Sequence, residues 1–437
     1  LVSRFSFVFY YLEFFLKIAL LLTGNELMTG DTVDSNSAMI AQSLAVQGFD
    51  VAHKVTVGDD IDLIVAELDK LAALYPAIII NGGLGPTIDD LTSEALSLLT
   101  GEPLVENTQA LTHVNEWCER RGVAANAANL KQTLLPASAT VLANPVGSAV
   151  GIALRYRDCL LLCTPGVPPE LAAMLKGSVL SELQVSFPDA SARLVRRLKL
   201  FGMGESSLQQ IIADQCPHWP SEVVVGFRAG APLLELKLEI EDQAHLPLRD
   251  QCEVELRKVV GDFIVGENDD TLGAIVIGLL QQQNKQLTLA ESCTGGMIAS
   301  NVTAISGASS VFGAGFVSYS NAIKSSVLGV DADLIETHGA VSEPVARAMA
   351  EGALERSAAH CAIAVTGIAG PDGGTDDKPV GSVWVAWGGM GSINAHLFHY
   401  PVGRKMFQTM VSALALDLLR RYLLGSTDVP NYFQRKR

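Results

Sequence analysis

The chain has 437 residues, of which 49% are apolar and 18% charged, and a formal net charge of −16. That length suits about three domains of roughly 150 residues each, and the apolar content excludes a largely disordered chain. So acidic a surface repels phosphate backbones, so nucleic acid is not expected as the main ligand. The seven cysteines have no framework spacing, which predicts reduced thiols in a cytoplasmic protein. Cys159 and Cys163 flank an apolar strand and read as core thiols rather than a metal clip.

Residues 1–16 are apolar and aromatic but broken by Arg4 and Glu13. The clean run Phe5 to Leu12 falls short of the roughly 20 residues that span a bilayer, so no membrane association is expected. The segment reads as a spurious extension ahead of a start near Leu16. From Lys17 the chain alternates strands (17–23, 50–57, 77–80, 160–163) with amphipathic helices (36–47, 61–74), which predicts an α/β domain with a parallel sheet covered on both faces. This first domain is placed at 17–175.

A small α+β module follows at 176–262. Strands are expected at 193–201, 223–227 and 233–239, and helices at 206–214 and 248–260. The acid-rich stretch 263–270 reads as a linker. The third domain, 271–425, opens on a helix (272–283) and a strand (286–290). A sharp turn, Ser292-Cys293-Thr294-Gly295-Gly296, then leads to a helix from Met297. Strands are expected at 311–318, 361–365, 382–387 and 394–400, with a short helix around Lys324, a helix capped by Ser342 and a long helix at 404–423. Residues 426–437 read as a tail.

Two glycine-bearing turns follow strand ends in the first domain, at 23–30 and 81–87. Such turns let a backbone approach a phosphate beyond the strand C-termini. Asp89 and Asp90 follow at once, and hard carboxylates beside a phosphate cradle suit a divalent cation. This block resembles the molybdopterin-binding fold in its CinA-type version (competence/damage-inducible protein A). The match rests on GNELMTG (24–30), Asp34 with Asn36, VGDD (57–60), GGLGPTIDDLT (82–92), Asn129 with Lys131-Gln132, and PGVPPE (165–170). The resemblance implies a three-layer α/β/α domain acting as a metal-dependent ADP-ribose pyrophosphatase. It implies a nucleotide site of Gly24, Glu26, Asn36, Gly82, Gly83, Gly85 and Thr87, with Asp89 and Asp90 on the metal. One departure stands out: Gly147-Ser148-Ala149-Val150-Gly151 replaces the family's GTAPG. The module with FGMGES (201–206) resembles the family's KH-like insert, but its acidity and lack of a basic GxxG loop argue against RNA. The alternative for the first domain is a pterin-binding or adenylylating module.

The strand-to-helix turn at Ser292 exposes a hydroxyl and aims N–H groups at one point, which suits a nucleophile with its oxyanion or a phosphate. The third block resembles the CinA C-terminal domain through AESCTGG (290–296), SGASSVF (306–312), GFVSYSNAIKSSVLGV (315–330), HGAVSE (338–343), AVTGIAGPDGG (364–374) and KPVGSVW (378–384). That resemblance implies an α/β/α deamidase converting nicotinamide mononucleotide to nicotinate mononucleotide and ammonia, without a cofactor.

The chemistry of that reaction assigns roles. Ser292 is the nucleophile, with Cys293 as the rival. Lys324 is its base, near a helix start that lowers a lysine's pKa, with His338 as the rival. Tyr319 relays a proton or holds the serine. Thr366 and Ser309 donate to the ligand, Gly295 and Gly296 N–H groups receive the oxyanion or phosphate, and Arg404 clamps the phosphate. Thr294, Asn321 and Gly370 join the substrate-binding set. At least a homodimer is expected, with nicotinamide mononucleotide and ADP-ribose as small-molecule partners. The rival for the whole chain is a non-catalytic competence or stress adaptor.

Overall fold

The computed structural model describes residues 16–190, 194–426 and 428–432. Of the expected extension, only Leu16 falls within them, and it opens the first strand. The chain divides into two compact units between residues 193 and 194.

The first unit holds a six-stranded sheet built from Leu16–Thr23 (β1), Phe49–Val57 (β2), Ala77–Asn81 (β3), Thr140–Leu142 (β6), Gly151–Tyr156 (β7) and Cys159–Thr164 (β8). A separate pair, Leu104–Glu106 (β4) and Leu134–Pro136 (β5), lies beside it. The sheet order is β2-β1-β3-β8-β7-β6. Strands β2, β1, β3 and β8 are parallel, as the strand–helix alternation predicts. The sheet is nevertheless mixed: β7 runs antiparallel to β8, and β6 to β7. The two-residue connection Arg157-Asp158 is too short for a crossover, so it forces a hairpin. Successive strand residues face opposite layers. Ala19, Leu21, Ile78 and Ile80 pack under helix Ile61–Ala72 through Ile64 and Leu68. Ile18, Leu20, Leu22 and Ile79 pack on Ile40, Leu44, Leu171 and Met174. The result is three layers.

In the second unit, Leu194–Leu200 (β9), Val224–Arg228 (β10), Leu234–Ile240 (β11) and Ile264–Glu267 (β12) form a sheet of order β10-β11-β9-β12. The expected linker at 263–270 is therefore corrected. Ile264 pairs with Leu200 and Glu267 with Leu198, so the segment supplies an edge strand. Its acids hide the strand signal, yet Glu267 is used: both Arg196 and Arg257 bind it.

The other sheet of this unit comprises Leu287–Glu291 (β13), Phe312–Val317 (β14), Cys361–Gly367 (β15), Ser382–Gly389 (β16) and Ser392–His399 (β17), in the order β14-β13-β15-β16-β17. Its faces differ in bulk. Leu287, Leu289, Ile363 and Val365 meet Val276, Ile298, Val411 and Leu414 on one side. Ala290, Ala362, Ala364 and Ala386 face Val345, Met349 and Ala353 on the other, where alanines let helix Glu343–Ser357 lie close. The bulky core also takes in Phe201, Val265 and Tyr432, so the small module shares apolar packing with the larger sheet. Tyr432, from the expected tail, is buried and donates to Asp417 Oδ2 at 2.5 Å.

Candidate active site

Strand β13 ends at Glu291, and its neighbours clamp the next residue. Ser292 N–H donates to Val365 O of β15 (3.1 Å), and Ser318 N–H donates to Glu291 O (2.8 Å). The helix before β14, Met297–Thr303, packs on one face of the sheet and the helices after it on the other. Connections that diverge this way leave a crevice at the strand C-termini, where ligands bind in open α/β sheets.

Lys324 reaches Ser292 from helix Asn321–Leu328. Ser320 caps that helix, its side chain accepting from Ile323 N–H. The lysine is only 1% exposed. Its Nζ lies 3.1 Å from Ser292 Oγ and 2.8 Å from Ser318 O. Among the described residues no carboxylate pairs with it. Burial therefore holds its ammonium below the ordinary lysine range, with a pull the other way from Cys293. A buried amine with no counter-charge, three bonds to carbonyl and hydroxyl oxygens, and a lowered pKa suits a base.

The rivals separate clearly. Cys293 points into the apolar core, where burial pushes its thiol up to about 12. His338 is exposed at the end of helix Ala332–His338, and its carbonyl accepts from Lys378.

Three expected donors are already committed. Glu291, 1% exposed, accepts from Thr294 Oγ1 (2.6 Å), Gly296 N–H (3.1 Å), Ile298 N–H (3.1 Å) and Ala299 N–H (2.8 Å). The helix N-terminus predicted to hold a substrate anion thus holds the protein's own carboxylate. Gly295 N–H donates to Ser292 O. The Thr294 hydroxyl and the Gly295 and Gly296 N–H groups therefore shape the turn instead of serving a ligand. Gly296 has φ +96°, a left-handed conformation that favours glycine. Thr366 is also corrected: its hydroxyl donates to Ala340 O at 2.7 Å. Ser309 is exposed in the short 3-10 turn Ala308–Ser310, just before β14 begins. It lies at the opposite end of that strand from Ser318, so in one chain it stands away from Ser292.

Tyr319, 59% exposed, and Arg404 come together. Arg404 Nη2 donates to Tyr319 Oη (2.5 Å) and Nη1 to Gly370 O (2.9 Å). Asn321 is exposed at the first turn of the Lys324 helix. Two contributors escape the sequence reading. Glu291 carries the signal of a carboxylate just before a helix start. Gln408, whose Nε2 donates to Cys293 O at 3.0 Å, lies one turn beyond Arg404.

In the first unit, the glycine turn after β3 closes on its own acids. Asp90 Oδ2 accepts from Thr87 N–H at 2.8 Å and from the Thr87 hydroxyl. A Cβ on Gly85 would sit 2.5 Å from that carboxylate, so only glycine allows the approach. Lys131 Nζ donates to Thr87 O (2.9 Å) and Asp90 O (2.7 Å). Gly82 N–H donates to Thr164 O, and the Gly83 carbonyl accepts from Thr92 N–H. Asn36 donates to Asn81 Oδ1 (3.0 Å) and Gly166 O (2.7 Å), tying the start of its helix to the end of β3 and to the loop after β8. Gly24 N–H donates to Val57 O, with the exposed Glu26 folded back over it. A cleft is lined by Gly83, Gly85, Asp90, Lys131, Gln132 and Ile152, among others. Asp89 is exposed. Among the described residues no three of His, Cys, Asp and Glu converge as a metal cluster, and no helix is long and apolar enough to cross a membrane.

Comparison with known proteins agrees with this division. Residues 269–423 match the CinA C-terminal domain, and residues 19–185 match the probable molybdopterin binding domain. A CinA-like protein of Colwellia psychrerythraea is 49% identical over 423 residues, covering 96% of this chain and 98% of its own. One from Shewanella piezotolerans is 37% identical, covering 97% and 99%. The solved competence/damage inducible protein CihA from Agrobacterium tumefaciens is 41% identical over 35% of this chain and 93% of its own, with a TM-score of 0.34. With near-complete coverage at that level of identity, this α/β chain belongs to the family of CinA-like proteins, pairing a molybdopterin-binding-like N-terminal domain with a CinA C-terminal domain.

Proposed function

We propose that the C-terminal domain hydrolyses nicotinamide mononucleotide to nicotinate mononucleotide and ammonia through a serine–lysine pair. The observation that supports this most is the buried, unpaired Lys324 Nζ at 3.1 Å from Ser292 Oγ. Neutral Lys324 takes the Ser292 proton as Oγ bonds to the carboxamide carbon. The tetrahedral oxyanion collapses, the C–N bond breaks, and Lys324 returns the proton to the departing ammonia. Water, deprotonated by the same amine, then attacks the ester carbon; the C–Oγ bond breaks, Lys324 returns the proton to Ser292 Oγ, and the carboxylic acid leaves as its carboxylate. Since Glu291 consumes the Gly296 N–H, the oxyanion falls to Cys293 and Thr294, whose N–H groups enter no backbone–backbone bond among the described residues. The remaining N–H donors of Arg404 suit the phosphate. The test is ammonia release by wild type, Ser292→Ala and Lys324→Ala. Both variants lose about 100-fold or more; near-wild-type turnover in Ser292→Ala rejects the role.

The same reading makes the N-terminal domain an ADP-ribose pyrophosphatase dependent on a divalent cation. Asp89 and Asp90 offer hard oxygens, and Lys131 offers a cation for a pyrophosphate. Two carboxylates fit a magnesium-like ion only if phosphate oxygens and water complete its shell. When bound, that ion supplies charge on the pyrophosphate, while Gly83 and Gly85 keep the approach open. Loss of hydrolysis in Asp90→Asn, with retained folding, tests this part. A cytoplasmic homodimer or higher oligomer completes the proposal, and sedimentation as a single 46.4 kDa species removes the oligomer.

A further inference from the structure

The first two turns of helix Arg404–Leu423 touch all three loops that follow β13, β14 and β15. Arg404 reaches Tyr319 Oη and Gly370 O, and Gln408 reaches Cys293 O. Residues four apart share a helix face, so both side chains approach the crevice from one side. Gln408 also stands beside Gly295, two residues further along the turn, where a Cβ would lie 3.6 Å from its Nε2.

The carbonyl that Gln408 holds belongs to the Cys293–Thr294 peptide. In a trans peptide the C=O and N–H are coplanar and point in opposite directions. Fixing the Cys293 oxygen therefore fixes the direction of the Thr294 N–H. That N–H makes no backbone–backbone bond among the described residues, whereas those of Gly295 and Gly296 are consumed by Ser292 O and Glu291. Among the described residues no other group bonds the C=O of this peptide, and the turn bond from Gly295 N–H to Ser292 O leaves its plane two opposite orientations. Glu291 anchors its C-terminal end through the Thr294 hydroxyl, and β15 anchors Ser292.

We propose that Gln408 is a positioning residue: its amide donates to Cys293 O and so aims the Thr294 N–H at the oxyanion formed when Ser292 attacks. This rests on the serine–lysine reading above. The requirement is for a donor at position 408, not for its bulk. Gln408→Met keeps volume and removes the donor. Gln408→Glu sets a carboxylate against a carbonyl. Gln408→Arg keeps N–H donors.

The experiment measures kcat and KM for ammonia release from nicotinamide mononucleotide, together with the rate of Ser292 labelling by a fluorophosphonate. In labelling, Oγ bonds phosphorus, fluoride leaves and Lys324 takes the proton, so the phosphoryl oxygen draws on the same donors. The Met and Glu variants lose about 10- to 100-fold in both kcat and labelling rate, with KM within about twofold of wild type. Gln408→Arg regains most of that loss. Wild-type rates in Gln408→Met overturn the inference, as does an Arg variant as slow as Met, which would mark a packing role. Thermal melts of all three variants separate misfolding from misdirection. A wild type labelled at Ser292 that releases no ammonia ends the substrate reading alone, with the labelling rates still deciding Gln408. A wild type that does neither ends both.

Discussion

The second unit buries two charged groups in opposite ways. Asp417 is fully buried and fully answered: Arg420 Nε at 2.7 Å, Arg421 Nε at 3.0 Å and Tyr432 Oη at 2.5 Å all donate to it. Burial, and then the Asp417 carboxylate, push the Tyr432 phenol up. Lys324 is as deeply buried and has only neutral oxygens around its amine. A paired buried charge holds structure, because removing one partner strands the others. An unpaired one costs stability in its charged form and persists where chemistry uses its neutral form.

The sharpest way to break this contrast is to delete each charge. Asp417→Ala strands two arginines and lowers unfolding free energy by about 3–5 kcal/mol, measured by urea denaturation. Turnover per folded molecule stays near wild type. Lys324→Met does the reverse: turnover falls about 100-fold or more, and the urea midpoint does not fall. Equal stability losses in the two variants contradict the distinction.

Glu291→Gln comes next, since an amide turns an N–H toward the helix N–H groups that Glu291 now receives. It costs about 1–3 kcal/mol in stability and slows turnover as the Ser292 turn loosens. Tyr432→Phe removes one donor to Asp417 and costs about 1 kcal/mol, with turnover unchanged.

The two buried charges also differed in how legible they were. A strand ending in Ser-Cys-Thr-Gly-Gly announces a functional turn, because apolar periodicity stops where special backbone conformations begin. Lys324 was legible as a helix-start lysine. The direction of the turn's N–H groups was not: composition shows that glycines are present, but only packing shows Glu291 claiming their donors. Ser309 looked like a ligand donor from its sequence neighbours, yet strand direction puts it at the far end of β14. Ile264–Glu267 was hidden because four residues among acids give no period. Tyr432 was hidden because docking of a chain end onto Phe201 and Asp417 depends on contacts distant in sequence. In the first unit, the parallel strands were clear from their apolar runs, whereas the β7–β8 hairpin rests on a turn with Arg157 at φ +53°.

The most direct test of the central claim is the pH dependence of kcat/KM for ammonia release from nicotinamide mononucleotide. Only neutral Lys324 accepts the Ser292 proton, so the rate falls as pH drops through the lysine's pKa in the folded protein. Burial lowers that pKa, so the acid limb lies below the ordinary lysine value of about 10.4. Stability follows the same sign: folding binds fewer protons than the unfolded chain between the two pKa values, so stability rises with pH across that window. A depressed acid limb that vanishes with the residual activity of Lys324→Met agrees with the account. A limb at or above about 10, or one unchanged in that variant, contradicts it.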